Sequence, residues 1–243
     1  MDKPKFAVLG DIHGNWEALS AVLADAEREN VTRYVCVGDV VGYNADPAKC
    51  LERIMELDCI TVRGNHDHYC AHEMSLRSFH PLAAKVMRWT REQLSAVQVD
   101  YLSNLRMSCT VNGFLMVHST LDMPDKWGYV FEELEAESHF AYQTTTLCFY
   151  GHTHFPVVFE KGARIQRLQP EKILITLGRK YFINVGSVGQ PRDGIPDASY
   201  VIYDAATRQV IFRRVPYDIP AAQAKIRLAS LPERLAVRLE LGR

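Results

Sequence analysis

The sequence lacks CxxC pairs, and it has no excess of charge of either sign. Its six cysteines are scattered along 243 residues, mostly inside apolar runs such as YVCVG and TLCFYG. This distribution indicates reduced, buried thiols in a cytoplasmic protein rather than a set of disulfides or thiolate metal sites. The formal net charge of −1 excludes a global field that would attract nucleic acid or acidic membranes, although a local basic patch remains open.

Long apolar runs and nucleotide-binding glycine motifs are missing as well. No stretch approaches the ~18 consecutive apolar residues of a membrane helix, and the start MDKPK leads into a run too short for a secretory signal. Neither GxxxxGK[ST] nor GxGxxG occurs, which disfavours nucleoside-triphosphate and dinucleotide-cofactor folds.

No repeat, low-complexity tract or linker divides the chain. We therefore predict one domain over residues 1–243, with a helical insertion near 81–105 and a helical tail over 219–241. The tail is expected to pack on a sheet or on another subunit, so a homo-oligomer is one arrangement that the sequence allows.

Short apolar runs alternate with amphipathic helices in the first third of the chain. FAVLG, RYVCVGD and CITVRGNHD are typical of buried strands, and WEALSAVLADAEREN and DPAKCLERIMEL are typical of helices. This alternation predicts an α/β protein with parallel strands and right-handed crossovers. Beyond residue 105 the pattern is mostly strands, with one helix near 131–142.

Polar residues follow five of the six principal predicted strands directly. In open α/β sheets the carboxyl ends of the strands form the binding edge, so these side chains are expected to converge. They are Asp11, His13, Asp39, Asn65, His66, His118, His152 and His154. Each alone is consistent with an ordinary turn, but together they form a cluster that is costly to bury unless divalent cations bind there.

The motifs D-x-H (11–13), GD (38–39), GNHD (64–67), VH (117–118) and GHTH (151–154) resemble those of the calcineurin-like metallophosphoesterase superfamily. GDVVGYN, HTHFP and NVGSVGQPRDG are similar to its small bacterial and archaeal branch, which includes phosphodiesterase-like and diadenosine-tetraphosphatase-like proteins. The resemblance implies a four-layer α/β/β/α sandwich, in which two packed mixed sheets are flanked by helices.

The resemblance also implies two divalent metal ions, for which Mn, Fe, Zn and Ni suit the donors equally well. The first ion would be held by Asp11, His13 and His154. The second would be held by Asn65, His118 and His152. Asp39 would bridge the two ions, His66 would act as general acid, and Asp67 could orient the ring of His66.

Two neighbouring cations can activate a water molecule for attack on phosphorus, and a protonated imidazole can supply the leaving group with its proton. We therefore predict a metal-dependent phosphoesterase acting on a small phosphoester or nucleotide. The arginine of the GDxxDRG motif of Ser/Thr protein phosphatases is missing from residues 38–44, which favours phosphodiesters. The alternatives are a phosphomonoesterase or a dinucleoside-polyphosphate hydrolase, and, less favoured because every ligand position is filled, a non-catalytic binding scaffold.

Three residues are candidates for substrate contact, each with a structural alternative. Arg192 lies on a Gly/Pro-rich loop and has a guanidinium suited to phosphate, whereas Tyr43 and Asn44 fit a turn equally well. Trp127 and Tyr129 could stack on a nucleobase or simply pack. Four further histidines match no motif and are expected to be surface residues or hydrogen-bonded: His68, His72, His80 and His139.

Overall fold

The structure, a computed structural model, describes residues 3–72 and 81–243, except for the side chain of Leu82. His80 lies outside the described residues. The helices are α1 (Trp16–Arg28), α2 (Pro47–Glu56), α3 (Asn65–Ala71), α4 (Pro81–Gln93), α5 (Ala96–Asn104), α6 (Glu133–Tyr142), α7 (Ile219–Leu228) and α8 (Glu233–Leu241). A short 3-10 helix occupies Pro124–Lys126.

In the described residues, twelve strands form two six-stranded sheets. Sheet 1 has the order β3-β2-β1-β11-β12-β9, and sheet 2 has the order β4-β5-β6-β10-β7-β8. The strands are β1 (Lys5–Leu9), β2 (Arg33–Cys36), β3 (Ile60–Thr61), β4 (Ser108–Val111), β5 (Phe114–Val117), β6 (Leu147–Tyr150), β7 (Val157–Lys161), β8 (Ile165–Leu168), β9 (Lys172–Leu174), β10 (Lys180–Asn184), β11 (Ala198–Asp204) and β12 (Gln209–Val215).

Both sheets are mixed. In sheet 1, β1 pairs with β2 and β2 with β3 in parallel, whereas β11, β12 and β9 are added antiparallel. In sheet 2, β5, β6 and β10 run parallel and β4, β7 and β8 antiparallel to their neighbours. The predicted parallel pattern is thus confirmed for the first three strands.

Alternation of side chains along the strands produces the layers. Phe6 and Val8 of β1 face the core between the sheets, while Ala7 and Leu9 face the helices outside sheet 1. Between the sheets, Phe114 packs edge-to-face on Phe6, with 5.2 Å between ring centroids. Such aromatic pairs contribute about 0.5–1.5 kcal/mol beyond the burial of their surface. The predicted four-layer sandwich is therefore confirmed.

The tail departs from the single helical segment that the sequence suggested. It forms two helices, α7 and α8, because Pro232 cannot donate a hydrogen bond and disfavours helical backbone at Leu231 before it. The pair packs on other helices rather than on a sheet: Val86 of α4 joins its apolar core, and Lys225 of α7 bonds Asp46 at 2.6 Å.

The longest helices, α1 and α4, have 13 residues each. Within the ranges that the structure describes, no helix combines the length and the apolar character that crossing a bilayer requires.

Candidate metal centre

The candidate metal centre lies where the carboxyl ends of parallel strands meet. Asp11 and His13 follow β1, Asp39 follows β2, and His118 follows β5. His152 and His154 both lie in the loop after β6. Asn65 is the first residue of α3, one short loop beyond β3. The structure thus brings together all seven residues that we predicted as metal ligands.

Asp11, His13 and His154 form the first group, and their donor atoms all lie within 4.8 Å of one another. The Nε2 atoms of the two histidines are 3.0 Å apart, and Asp11 Oδ1 lies 3.2 Å from His154 Nε2. All three side chains are buried. Three Lewis bases that converge on one point in a buried site suit a divalent cation.

His118 and His152 form a second group with Asp39, again with donor atoms within 4.8 Å. Asn65 adds an amide oxygen, since its Oδ1 lies 3.1 Å from His118 Nε2. The donors are nitrogen and oxygen throughout, without a thiolate, and this combination suits Mn, Fe, Zn or Ni.

Asp39 connects the two groups. Its Oδ1 accepts the backbone N–H of His66 at 2.8 Å, whereas its Oδ2 is buried and has no hydrogen-bond partner within 3–72 and 81–243. That oxygen lies 3.4 Å from His118 Nε2 and 3.7 Å from His13 Nε2. A buried carboxylate oxygen without a donor is costly, and a cation on either side would offset that cost. The donor set therefore fits the metal ions that the sequence implied.

The four candidate histidine ligands share a supporting arrangement, because one ring nitrogen of each contacts a backbone carbonyl oxygen. The contacts are His13 Nδ1 to Val41 at 3.1 Å, His118 Nδ1 to Val37 at 2.9 Å, His154 Nδ1 to Gln190 at 2.6 Å and His152 Nε2 to Trp127 at 2.9 Å. An N–H that donates to the carbonyl fixes the tautomer and leaves the other nitrogen as a ligand. The free nitrogen is Nε2 in three rings and Nδ1 in His152.

The electrostatics of the cluster favour neutral imidazole at three of these positions. Burial lowers the pKa of His13, His152 and His154, which keeps their lone pairs free for a metal. Burial also disfavours protonation of His118, but the Asp39 carboxylate outweighs it and raises the pKa of His118 to about 9. A cation in this place would replace that proton as the positive partner of Asp39.

Five of the seven candidate ligands adopt left-handed backbone conformations. Their φ angles are 50° for Asp11, 49° for His13, 55° for Asp39, 69° for His152 and 60° for His154. Such conformations cost non-glycine residues about 1–2 kcal/mol each and cluster at functional sites. These backbone conformations direct the side chains into the site at the ends of the strands. The GD, GNHD and GHTH motifs did not predict them.

His66 lies beside the two groups, on the first turn of α3. We expected it at a strand end, but β3 stops at Thr61, and Gly64 precedes the first residue of the helix. The His66 ring is 4.7 Å from that of His13 and 4.4 Å from that of Tyr43, centroid to centroid. Burial lowers the pKa of His66 to about 4. No backbone carbonyl holds its ring, and its buried Nδ1 has no partner among the described residues.

Asp67 does not make the contact with His66 that the sequence suggested. Its carboxylate instead accepts four backbone N–H groups, from Asp39 (2.8 Å), Val40 (2.9 Å), Gly64 (3.1 Å) and Val41 (3.3 Å). Burial raises the pKa of Asp67 to about 7, with the charge of Asp39 acting in the same direction. The geometry therefore makes Asp67 the residue that holds the loop after β2 against α3.

The three candidate substrate contacts lie at different depths. The Arg192 guanidinium donates to Tyr43 Oη at 3.3 Å, and the Tyr43 ring lies 4.5 Å from that of His13. Both side chains are partly exposed at the edge of the metal centre. Asn44 is buried and donates to the backbone carbonyl of His13 at 3.0 Å. Its geometry supports the turn role rather than contact with a substrate.

Two supporting segments were not predicted. The loop after β10 supports two of the candidate ligands. Ser187 Oγ donates to the backbone carbonyl of Asp11 at 2.7 Å, and the carbonyl of Gln190 contacts His154. The loop that carries Trp127 and Tyr129 supports His152, since the Tyr129 ring stacks on it at 4.3 Å. The motif NVGSVGQPRDG indicated a resemblance but not these contacts, which depend on backbone atoms.

Comparison with known proteins agrees with this geometry. The calcineurin-like phosphoesterase superfamily domain matches residues 5–208. The uncharacterized protein MJ0912 of Methanocaldococcus jannaschii is 38% identical over 247 residues, an alignment that spans all of both chains.

Two crystal structures share the fold. A metallophosphoesterase from Sphaerobacter thermophilus matches with a TM-score of 0.91 and 37% identity over all of both chains. The hypothetical protein PH1004 from Pyrococcus horikoshii OT3 matches over 98% of both chains with a TM-score of 0.80, and at 21% identity it shows the fold alone. Since the family match runs from β1 past the last candidate ligand, this chain belongs to the calcineurin-like phosphoesterase superfamily.

Proposed function

We propose that this protein is a dinuclear metal-dependent phosphoesterase that hydrolyses small phosphodiesters with water as the nucleophile. The observation that carries the proposal is the buried Asp39 Oδ2, which has no hydrogen-bond partner in the part of the chain that the structure describes and lies between the two ligand groups. One carboxylate placed in this way can serve two ions, which is the requirement of a two-metal site.

The first ion would be held by Asp11, His13 and His154, and the second by Asn65, His118 and His152, with Asp39 shared. Bound there, the ions would supply Lewis acidity for phosphoryl oxygens and lower the pKa of water. Manganese is one of the four metals that suit these donors. The left-handed backbone and the carbonyl contacts of the histidine rings position the ligands in advance.

His66 is the residue that we propose to protonate the leaving group. Its Nδ1 is enclosed without a partner, which leaves Nε2 to face the ester. The negative charge of a phosphoryl group beside the ring favours its protonated form. Tyr43 packs on the ring at 4.4 Å and limits its rotation.

Arg192 favours a second candidate activity. Residues 38–44 lack the phosphate-binding arginine of the protein phosphatases, but the structure places Arg192 next to Tyr43 from a different loop. A guanidinium at this edge suits the extra charge of a monoester or a polyphosphate. Phosphomonoesterase and dinucleoside-polyphosphate hydrolase activities are therefore the alternatives, whereas a non-catalytic scaffold has no observation in its favour.

Three accompanying predictions remain part of the proposal. A single domain over 1–243 is supported by the Lys225 contacts to Glu17 and Asp46, which tie the tail to α1 and to the loop before α2. A cytoplasmic location is supported by six unpaired cysteines, five of them buried. A homo-oligomer stays a prediction.

The test compares a phosphodiester with a phosphomonoester that releases the same leaving group, on protein loaded with each metal in turn. We expect a higher kcat/KM for bis-(4-nitrophenyl) phosphate than for 4-nitrophenyl phosphate. A large preference for the monoester would overturn the diester assignment in favour of the alternatives. No turnover of any ester by protein carrying two ions would overturn the enzymatic proposal itself.

The His66→Asn variant tests the acid. It should keep both metals and lose about 10²–10⁴-fold in rate on alkyl esters, and much less on nitrophenyl esters, whose leaving group needs little protonation. Equal losses on both kinds of ester would contradict the role of acid. His72→Asn, outside the metal centre, is the control and should match the wild type.

A further inference from the structure

A cavity of about 240 Å³ lies directly beside the metal centre. Its walls come from α4, from α8 and from the loop after β2. Ala83, Val86 and Leu235 form an apolar wall, and Arg234 and Arg238 add two guanidinium groups. The sequence predicted a single helical tail over 219–241 and assigned no role to its arginines.

Tyr43 connects this cavity, which we call the arginine pocket, to the metal centre. Its side chain lines the pocket, and its ring packs on those of His13 and His66. Its hydroxyl oxygen accepts the Arg192 hydrogen bond at 3.3 Å. Tyr43 is therefore shared between the two sites, with its ring against the candidate metal centre and its side chain in the wall of the arginine pocket.

Among the described residues, the arginines around Tyr43 have no carboxylate partners. Arg192 donates to Tyr43 and Gln190 only, and its Nε is buried without a partner among the described residues. For Arg234 and Arg238, no side-chain hydrogen bond or ion pair links them to any part of 3–72 or 81–243. By contrast Arg227, on the neighbouring helix α7, pairs with Glu233 at 2.7 Å.

Three guanidinium groups that pair with no carboxylate in the described part of the chain repel one another. Burial lowers the pKa of Arg238, and the charges of Arg192 and Arg234 act in the same direction. An anion bound among them would turn this repulsion into attraction. Arginine binds phosphate through two parallel N–H···O bonds, and a phosphate dianion matches several positive charges better than a carboxylate does.

We propose that the arginine pocket binds a second phosphate group of the substrate, separate from the phosphoester that is cleaved. This inference rests on the proposed function, and it narrows the substrate class to phosphoesters with a distal phosphate. The apolar wall of Ala83, Val86 and Leu235 would pack against the part of the substrate that connects the two phosphates. Arg192, which donates to Tyr43, adds positive charge next to the residue that the two sites share.

The decisive experiment uses two series of 4-nitrophenyl alkyl phosphodiesters with alkyl chains of increasing length. One series ends in a hydroxyl group, and the other ends in a phosphate. The reacting ester and its leaving group are identical, so any difference reports the distal phosphate alone. At the best chain length we expect kcat/KM to be about tenfold or more higher with the phosphate, because hydrogen bonds to charged groups are worth that factor or more.

The Arg234→Ala/Arg238→Ala double variant should reduce this preference about tenfold or more, mainly through KM. Arg227→Ala is the matched control on the adjacent helix, and it should keep the preference of the wild type. If the double variant does not fold, as judged by its thermal unfolding, Arg238→Gln alone takes its place. Equal kcat/KM for both series in the wild type, or an unchanged preference in the variants, would overturn the inference.

A binding measurement separates this inference from the proposed function. Ethyl phosphate is titrated by calorimetry into the full chain in the presence of a chelator, for the wild type and the double variant. Binding that the double variant loses would support the arginine pocket even if no ester were hydrolysed, in which case only the proposed function would fail. Ester hydrolysis without preference for a distal phosphate would leave the function standing and overturn the pocket.

Discussion

Two buried aspartates show how differently this molecule treats the same side chain. Asp25, on α1, has both oxygens occupied: Tyr200 and Arg213 donate to Oδ2 at 2.8 and 3.1 Å, and Arg213 and Arg28 donate to Oδ1. Asp39 is buried even more completely, yet its Oδ2 has no donor among the described residues and faces histidine nitrogens. Both carboxylate oxygens of Asp25 accept hydrogen bonds from the part of the chain that the structure describes, whereas one carboxylate oxygen of Asp39 does not.

The difference separates a structural role from a functional one. At Asp25 the charge is balanced within the fold, and the bonds fasten α1 to β11 and β12. At Asp39 the supporting contacts hold the backbone in a left-handed conformation with φ of 55°. Within the described ranges, they leave one oxygen of the buried carboxylate unpaired beside the histidine rings. A group that is positioned at a cost and left unpaired indicates a ligand that the fold itself does not provide.

The largest effect is expected at Asp39. Asp39→Asn keeps the shape and the oxygen that accepts the His66 N–H, but it removes the charge shared by the two groups. We expect about a thousandfold or greater loss of phosphoesterase kcat, because metal ions contribute several kcal/mol to such reactions. Metal analysis should show both ions lost or weakened. Without metal the variant should unfold at the same temperature as the wild type or a higher one. A marked loss of stability in metal-free protein would contradict the comparison.

The reverse outcome is expected at Asp25. Asp25→Ala leaves Arg213 and Tyr200 without their acceptor, so we expect the free energy of unfolding to fall by about 2–3 kcal/mol. Urea unfolding measures this change, and kcat at a temperature where the variant is folded should be unaffected. Arg28→Ala is the control, because that exposed side chain should contribute less than about 1 kcal/mol. Loss of kcat in the folded Asp25→Ala protein would show that the two sites are coupled.

The strand ends that carry the candidate ligands were predictable, because apolar runs followed by Asp, Asn or His mark the carboxyl edge of a sheet. The local conformation at that edge was not. Left-handed backbone at Asp11 or His154 leaves no trace in periodicity, and the helix that begins at Asn65 was hidden by the preceding strand pattern. Hydrophobic patterns in a sequence predict which residues are buried. The left-handed backbone and the start of α3 depend on tertiary contacts, which such patterns do not contain.

The arginine pocket was beyond prediction for a related reason. Arg192 and Arg238 are far apart in sequence and come together only because α8 folds back past Pro232 onto α4. Ion pairs could not be predicted from the sequence either. Arg227 and Arg234 lie on one predicted helical tail, but of the two only Arg227 pairs with a carboxylate among the described residues. The number of charged residues in the sequence therefore does not predict which arginines lack a carboxylate partner.

A smaller effect is expected at Asp67, which resembles Asp25 in its occupied oxygens but lies next to the metal centre. Asp67→Asn replaces one acceptor by a donor that faces backbone N–H groups. We expect metal affinity and kcat to fall about 10–100-fold, as is usual for residues that orient ligands. The loss should be the same for alkyl and nitrophenyl esters. A loss that shrinks for nitrophenyl esters would instead support the original prediction that Asp67 orients His66.

The smallest effect is expected at His139, a buried polar residue far from any motif. It accepts the N–H of Leu121 at 3.2 Å and stacks on Phe182. Burial lowers its pKa to about 3, whereas the unfolded chain binds the proton near pH 6.5. Stability should therefore fall as the pH drops from 6.5 towards 3, by up to about 1.4 kcal/mol per pH unit from this residue.

His139→Gln tests that slope because glutamine does not titrate. The variant should lose stability at pH 7.5 through poorer packing on Phe182, but between pH 6.5 and 4.5 its unfolding free energy should decline less steeply than that of the wild type. Urea unfolding at a series of pH values measures both slopes. The metal-centre histidines contribute equally to both proteins, so their titration cancels in the difference. Identical slopes would mean that His139 can take up a proton within the fold, and that burial does not keep it neutral as it does the candidate ligands His13 and His154.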